Sequence, residues 1–147
     1  RRLVGAAALL RGCRRSHAPP ATCAPIDFGR LPFREALQRV RASSVLVGVH
    51  GAGLTNAIFL PTSPPSVVVE VLPRTFAGWP HNFASTKFDF LRTTLGLRHV
   101  RLAAAEESPA CVADARGVAE RLRDCDVRLD DWAAVAERML LADRVGA

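Results

Sequence analysis

The stretch "VLVGVHGAGLTNAIFLP", residues 45–61, decides the fold. Val45 to Val49 is apolar and rich in β-branched residues, interrupted only by Gly48. Near-continuous apolarity of that length fits a strand covered on both faces, as in a parallel sheet. His50 follows, then Gly51-Ala52-Gly53. From Gly53 to Leu60 the pattern is helical, with Leu54, Ala57 and Ile58 on one face, and Pro61 ends it. A buried strand thus stops on a histidine and passes through glycines into a helix.

The flanking chain repeats this alternation. Upstream, residues 2–12, "RLVGAAALLRG", read as a short helix with a terminal Gly. "CRRSHAPPATCAP" carries three Pro and reads as loop, and Ile26 to Phe28 as a short strand. Pro32 opens a helix with Phe33, Ala36, Leu37 and Val40 on one face; Ser43-Ser44 closes it. Downstream, "TSPPS" is a loop and Val67 to Leu72, "VVVEVL", a second buried strand. A helical region is expected from Trp79 to Leu95, stopped at Gly96, then a third strand over residues 98–102 and a loop over 103–111. Val112 to Arg123 reads as helix and "DVRL" as an extended piece. The last helix starts near Asp130, with Trp132, Val135, Ala136, Met139 and Leu140 on one face. Strands alternating with helices predict an α/β doubly wound, Rossmann-like parallel sheet, read as a single domain over residues 1–147. Ligands of such sheets sit beyond the carboxyl ends of the strands, where His50 and the glycines fall.

Composition sets the outer limits. With 147 residues, of which 49% are hydrophobic and 23% charged, the chain can bury a sizeable core. Net charge is +6, carried by nineteen Arg against the single Lys87. That surplus reads either as a compositional bias or as affinity for a phosphate-bearing partner. Nucleic acid is not expected, because the basic residues are scattered and no aromatic stripe interleaves with them. Cys13, Cys23, Cys111 and Cys125 form no C-x-x-C pair, so a zinc site is not expected; disulfides and free thiols both remain open. No apolar run reaches about 18 residues, so any membrane anchor is expected outside this chain. The chain opens on Arg1-Arg2 rather than Met, and a fragment of a longer protein is expected.

The glycine turn admits two readings. A Gly-rich strand-to-helix turn lets backbone N–H groups approach a ligand, and the helix start favours an anion such as phosphate. His50, Thr55 and Asn56 would add side-chain donors. Equally, the motif is a tight turn capped by His50; it is neither G-x-G-x-x-G nor a P-loop. Glu70 within "VVVEVLP" also has two readings, since an unpaired buried carboxylate is costly. It pairs with an Arg, Arg74 or Arg41, or it stands at the strand's carboxyl end and accepts from ribose hydroxyls. His17, His81 and His99 read as surface or helix-end histidines, and Trp132 as core; Trp79 reads as core before sugar-stacking. No metal site and no Ser-His-Asp or Cys-His arrangement is recognisable.

The run "LPFREALQRVRASSVLVGVHGAGLTNAIFLP" followed by "VVVEVLP" resembles the C-terminal part of glycosyltransferase family 61. The likeness rests on Phe33-Arg34-Glu35-Ala36, Gly48-Val49-His50-Gly51-Ala52-Gly53-Leu54-Thr55-Asn56, Phe59-Leu60-Pro61 and Glu70-Val71-Leu72-Pro73. It is dense over residues 31–73 and looser elsewhere. Ala36 stands where the family has Gln, and the Asn common after the Arg-rich lead-in is missing. The resemblance implies one lobe of a GT-B enzyme, the half that holds the nucleotide of a UDP-sugar, and inverting transfer of GlcNAc or xylose to a hydroxyl of a protein or glycan. It implies work without a bound metal or other cofactor, in the endoplasmic reticulum or Golgi lumen. Carried onto this sequence, it places His50, Gly51, Ala52, Gly53, Thr55 and Asn56 at the donor, Glu70 at the ribose, and Arg2 and Arg74 near phosphate. The general base is expected in the other half, so no catalytic residue is assigned. The alternative is a truncated, non-catalytic nucleotide-binding or interaction module with the same fold.

Overall fold

A computed structural model of the chain describes residues 2–16, 22–73, 91–108, 126–129 and 131–145. The helix expected over Val112 to Arg123, most of the one expected from Trp79, and Arg74, His17, His81, Cys111 and Cys125 lie outside the described residues.

The centre is a parallel sheet, β2 (Val45–Val49), β3 (Val67–Leu72) and β4 (Arg98–Ala103), in that spatial order. Val45 pairs with Val67, and Val67 with Arg98. A second three-stranded sheet holds β1 (Arg2–Val4), β6 (Asp126–Arg128) and β5 (Glu106–Glu107) in that order. Here β1 and β6 run parallel while β5 is antiparallel to β6. The chain leaving β4 joins the two: Ala104 N–H still bonds Leu72 O at 2.8 Å, and Ala105 N–H already bonds Arg128 O at 2.9 Å. The architecture is therefore mixed α/β with parallel strands, compatible with a Rossmann-like lobe. It departs from a single all-parallel sheet by the short antiparallel β5.

Both faces of the central sheet are covered, as the apolar runs require. Strand side chains alternate between faces. Val67, Val69 and Val71 of β3 and Val100 and Leu102 of β4 point into one core. Leu9 of α1 (Ala6–Arg15), Trp132 and Val135 of α3 (Trp132–Val145) close that core. On the other face, Leu46 and Val68 pack with Val40 of α2 (Phe33–Arg41) and with Leu54 and Ala57. Those last two belong to a 3-10 helix, Ala52–Phe59, where a helix was expected.

Several local expectations change. Residues 2–4 are strand rather than the start of a helix, because they pair with β6. Gly12 is no helix stop: α1 runs on to Arg15, and Gly12 lies against Trp132, where an added Cβ would come 2.5 Å from the Trp132 Cβ. Cys13 and Cys23 form a disulfide, which ties the end of α1 to the following loop; Arg14 adds a 2.9 Å bond to Cys23 O. Ile26–Phe28 forms no strand. Phe33, expected on the buried face of α2, is 67% exposed and meets Phe59 edge-on instead, at 6.1 Å between ring centres. Leu140 of α3 is likewise exposed. Gly96 does terminate the helical turn at residues 91–95, with φ 65° and its N–H on Arg92 O.

Candidate functional site

The face of the central sheet that begins with Leu46 and Val68 changes character toward the carboxyl ends. Alternation puts Gly48 and His50 of the β2 line, Glu70 of β3, and His99 and Arg101 of β4 on that same face. Register then sets Glu70 beside Gly48 on one side and Arg101 on the other. Gly48 leaves room there for Leu54, whose Cδ2 would lie 2.8 Å from an added Cβ. This close approach lets the 3-10 helix lie against the sheet directly after the turn.

Glu70 is fully buried and is the hub of the group. His50 Nδ1 lies 2.6 Å from Oε1, and His99 Nε2 lies 3.0 Å from Oε2. Arg101 Nε is 3.8 Å from Oε2, an ion pair without a hydrogen bond. Burial pushes the Glu70 carboxyl up, but hydrogen bonds from His50 and His99, with their charge, outweigh it and hold it lowered from 4.5 to about 2. The carboxylate is therefore ionised at neutral pH and can only accept. His50 must donate from Nδ1 and His99 from Nε2, so both tautomers follow from one acid. A hydrogen bond between His50 and a ligand would be made through Nε2, which accepts while the ring is neutral.

His50 itself is held at its backbone, where its N–H bonds Val71 O at 2.9 Å and extends the β2–β3 ladder by one residue. Its side chain is 20% exposed, against 8% for His99 and 43% for Arg101. Beyond it the turn offers Ala52, Gly53 and Thr55 to solvent, while Leu54 and Ala57 are buried. The Asn56 side chain folds back to donate to Gly53 O at 2.9 Å, which steadies the first turn. The first N–H groups of a helix have no partner within it, so residues 51–53 present the donors that an anion would meet.

Of the residues expected at a site, His50, Gly51, Ala52, Gly53, Thr55, Asn56 and Glu70 are thus brought to one strand-end region. Arg2 lies in the other sheet, opposite Asp126. Glu70 is the fourth of six residues in β3 rather than its last, and its partners are histidines with Arg101, not Arg41. Arg41 instead lines a pocket with Ile58, Phe59, Leu60, Pro61 and Thr62. Those residues immediately precede β2 and β3, so that pocket lies at the amino ends of the strands, away from His50. The expectation of a surface His99 is overturned: its side chain is buried against Glu70. The signal was present in "RHVRLA", where Val100 and Leu102 alternate with His99 and Arg101. Imidazoles and a carboxylate are metal-ligand types, yet here they face one another, and no metal-holding group is formed among the described residues.

Fold and site together define a parallel α/β lobe whose polar group sits at the strand ends beside a glycine turn. Residues 1–69 match the model of glycosyltransferase family 61. A relative is the EGF domain-specific O-linked N-acetylglucosamine transferase of Drosophila melanogaster, 47% identical over 36 residues. That alignment covers 24% of this chain and 7% of the relative's length. Both matches point to glycosyltransferase family 61. Glu70, His99 and Arg101 lie beyond the residues matched by the family.

Proposed function

We propose that this chain is the donor-binding lobe of an inverting, UDP-sugar-dependent glycosyltransferase of the GT-B type. It would transfer a sugar such as GlcNAc or xylose to a hydroxyl of a protein or glycan. The observation that carries this reading is the 2.6 Å His50–Glu70 pair set directly against the glycine turn. In an inverting transfer the acceptor oxygen attacks the anomeric carbon as the UDP oxygen leaves. Negative charge then grows on the diphosphate, and fixed donors in a water-poor cleft stabilise it.

The chain's own residues divide this work. Backbone N–H groups of Gly51, Ala52 and Gly53 meet the diphosphate at the start of the 3-10 helix. His50 presents Nε2 to the donor: the Nδ1–H imidazole accepts there from a sugar hydroxyl, and the imidazolium donates there to the diphosphate, while Thr55 and Asn56 border the same turn. Glu70 was expected at the ribose; with both oxygens already bonded to imidazoles, its role in this reading is to hold His50. Arg2 and Arg74 remain assigned to phosphate by resemblance only. The acceptor's base and the facing lobe belong to the rest of the enzyme. No metal is needed in this scheme. A secretory-pathway lumen suits the Cys13–Cys23 disulfide, since such bonds persist in oxidising compartments. Among the described residues no helix is long and apolar enough to cross a membrane.

Calorimetric titration of UDP, with GDP and CMP as controls, into this chain and into His50→Ala tests the reading. UDP alone should bind, and the variant should lose at least tenfold in affinity while still unfolding cooperatively, at a lower temperature because Glu70 loses a partner. Binding unchanged in a folded His50→Ala would remove His50 from the site.

A further inference from the structure

The group around Glu70 contains a cation that neither the family match nor the glycine motif accounts for. Arg101 sits on β4, on the same sheet face as His50, two strands away. Strands are spaced about 4.8 Å apart, so the two backbones stand about 10 Å apart across the sheet. That span matches a nucleotide's diphosphate with its flanking sugar. The Arg101 side chain is 43% exposed, although its neighbours Val100 and Leu102 are buried. Its Nε is turned to the Glu70 carboxylate at 3.8 Å, too far for a hydrogen bond. The two carboxylate oxygens are taken instead by His50 and His99, at 2.6 and 3.0 Å. Among the described residues Arg101 makes no hydrogen bond, so its planar fork of N–H donors is oriented by charge and not consumed.

We propose that Arg101 is an anion-binding residue of this site, held by Glu70 and presenting its guanidinium to the phosphate of a nucleotide-linked ligand. The assignment rests on the nucleotide-binding reading above and extends it to a strand outside the family match. A guanidinium fork binds phosphate through paired hydrogen bonds, which a lysine ammonium does not reproduce. Glu70 then serves two groups at once: it fixes the tautomer of His50 and aims Arg101. His99, at 8% exposure, props the carboxylate from behind.

The test compares UDP with uridine, which lacks phosphate, in titrations of the wild-type chain, Arg101→Gln and Arg101→Lys. Thermal unfolding is followed in parallel. Arg101→Gln should weaken UDP on the order of tenfold, leave uridine unchanged and leave the unfolding temperature within a few degrees. Arg101→Lys should recover part of the loss, because charge is kept and the fork is not. Equal UDP affinity in wild type and Arg101→Gln overturns the proposal. So does a parallel loss of UDP and uridine, which would make Arg101 a support of the fold. If wild type binds neither ligand, the nucleotide reading itself falls, and the role of Arg101 with it.

Discussion

The two faces of the central sheet are made by the same three strands and do opposite things. On one face Val67, Val69, Val71, Val100 and Leu102 are buried against α1 and α3, with Arg98 at the start of β4 donating to Met139 O of α3 at 2.6 Å. On the other, Leu46 and Val68 share a row with His99, and the next rows toward the carboxyl ends hold Glu70, Arg101 and His50. Adjacent residues of β3 thus face unlike surroundings. Val69 is buried in the apolar cluster, while Glu70 meets two imidazoles and a guanidinium. A buried carboxylate is tolerable at position 70 because His50, His99 and Arg101 face it there. Chemistry-bearing residues concentrate where the sheet face runs toward its carboxyl ends.

This contrast can be broken most severely by moving the acid one residue. Val69→Asp would bury an unpaired carboxylate in the dry core, and the chain should show no cooperative thermal transition by circular dichroism. A cooperative transition near that of wild type would show that this face is not a closed core. Removing the acid from its proper place should cost less. Glu70→Ala strands the buried His99 donor and the half-buried His50 donor and should lower stability by about 3 kcal/mol in urea titrations. Glu70→Gln, which keeps one acceptor oxygen, should cost less than half of that.

Acid should act on one face alone. The Glu70 carboxyl is depressed in the folded chain, to about 2 from 4.5. Its contribution is therefore complete above about pH 4.5 and is lost as pH falls through about 2. Urea midpoints should fall across that window, and the fall should be shallower in Glu70→Gln. Equal slopes in the two proteins would place the acid sensitivity elsewhere. The smallest effect is expected at the seam between sheet and 3-10 helix. Gly48→Ala sets a Cβ 2.8 Å from a flexible Leu54 methyl, which can yield, so a loss of about 1 kcal/mol is expected.

Much of this was readable in the sequence because period and punctuation carry it. Apolar runs such as "VLVGV" and "VVVEVL" require strands covered on both faces, and β2 and β3 are so covered. The third strand and the final helix appear within a residue or two of expectation. Where reading failed, the missing information was a partner distant in the chain. "RLV" became strand because β6, more than a hundred residues later, pairs with it. Gly12 carries a stop signal that packing against Trp132 overrides. Alternation in "RHVRLA" places His99 on a strand face, but its partner Glu70 is 29 residues away and no local pattern pairs the two.

The amino-acid order alone, then, was enough to establish a strand ending on His50, a glycine turn and a helical segment beyond it. Local sterics and burial pattern act over a few residues and need no distant partner. It was enough, too, to mark Glu70 as an acid that must find compensation. What compensates it was settled only by strand register. Parallel pairing of β2, β3 and β4 brings residues 50, 70, 99 and 101 to one face, and hydrogen bonds at 2.6 and 3.0 Å then choose the histidines as partners. Register is a long-range property: a slip of one residue would turn Glu70 into the dry core and His99 away from it.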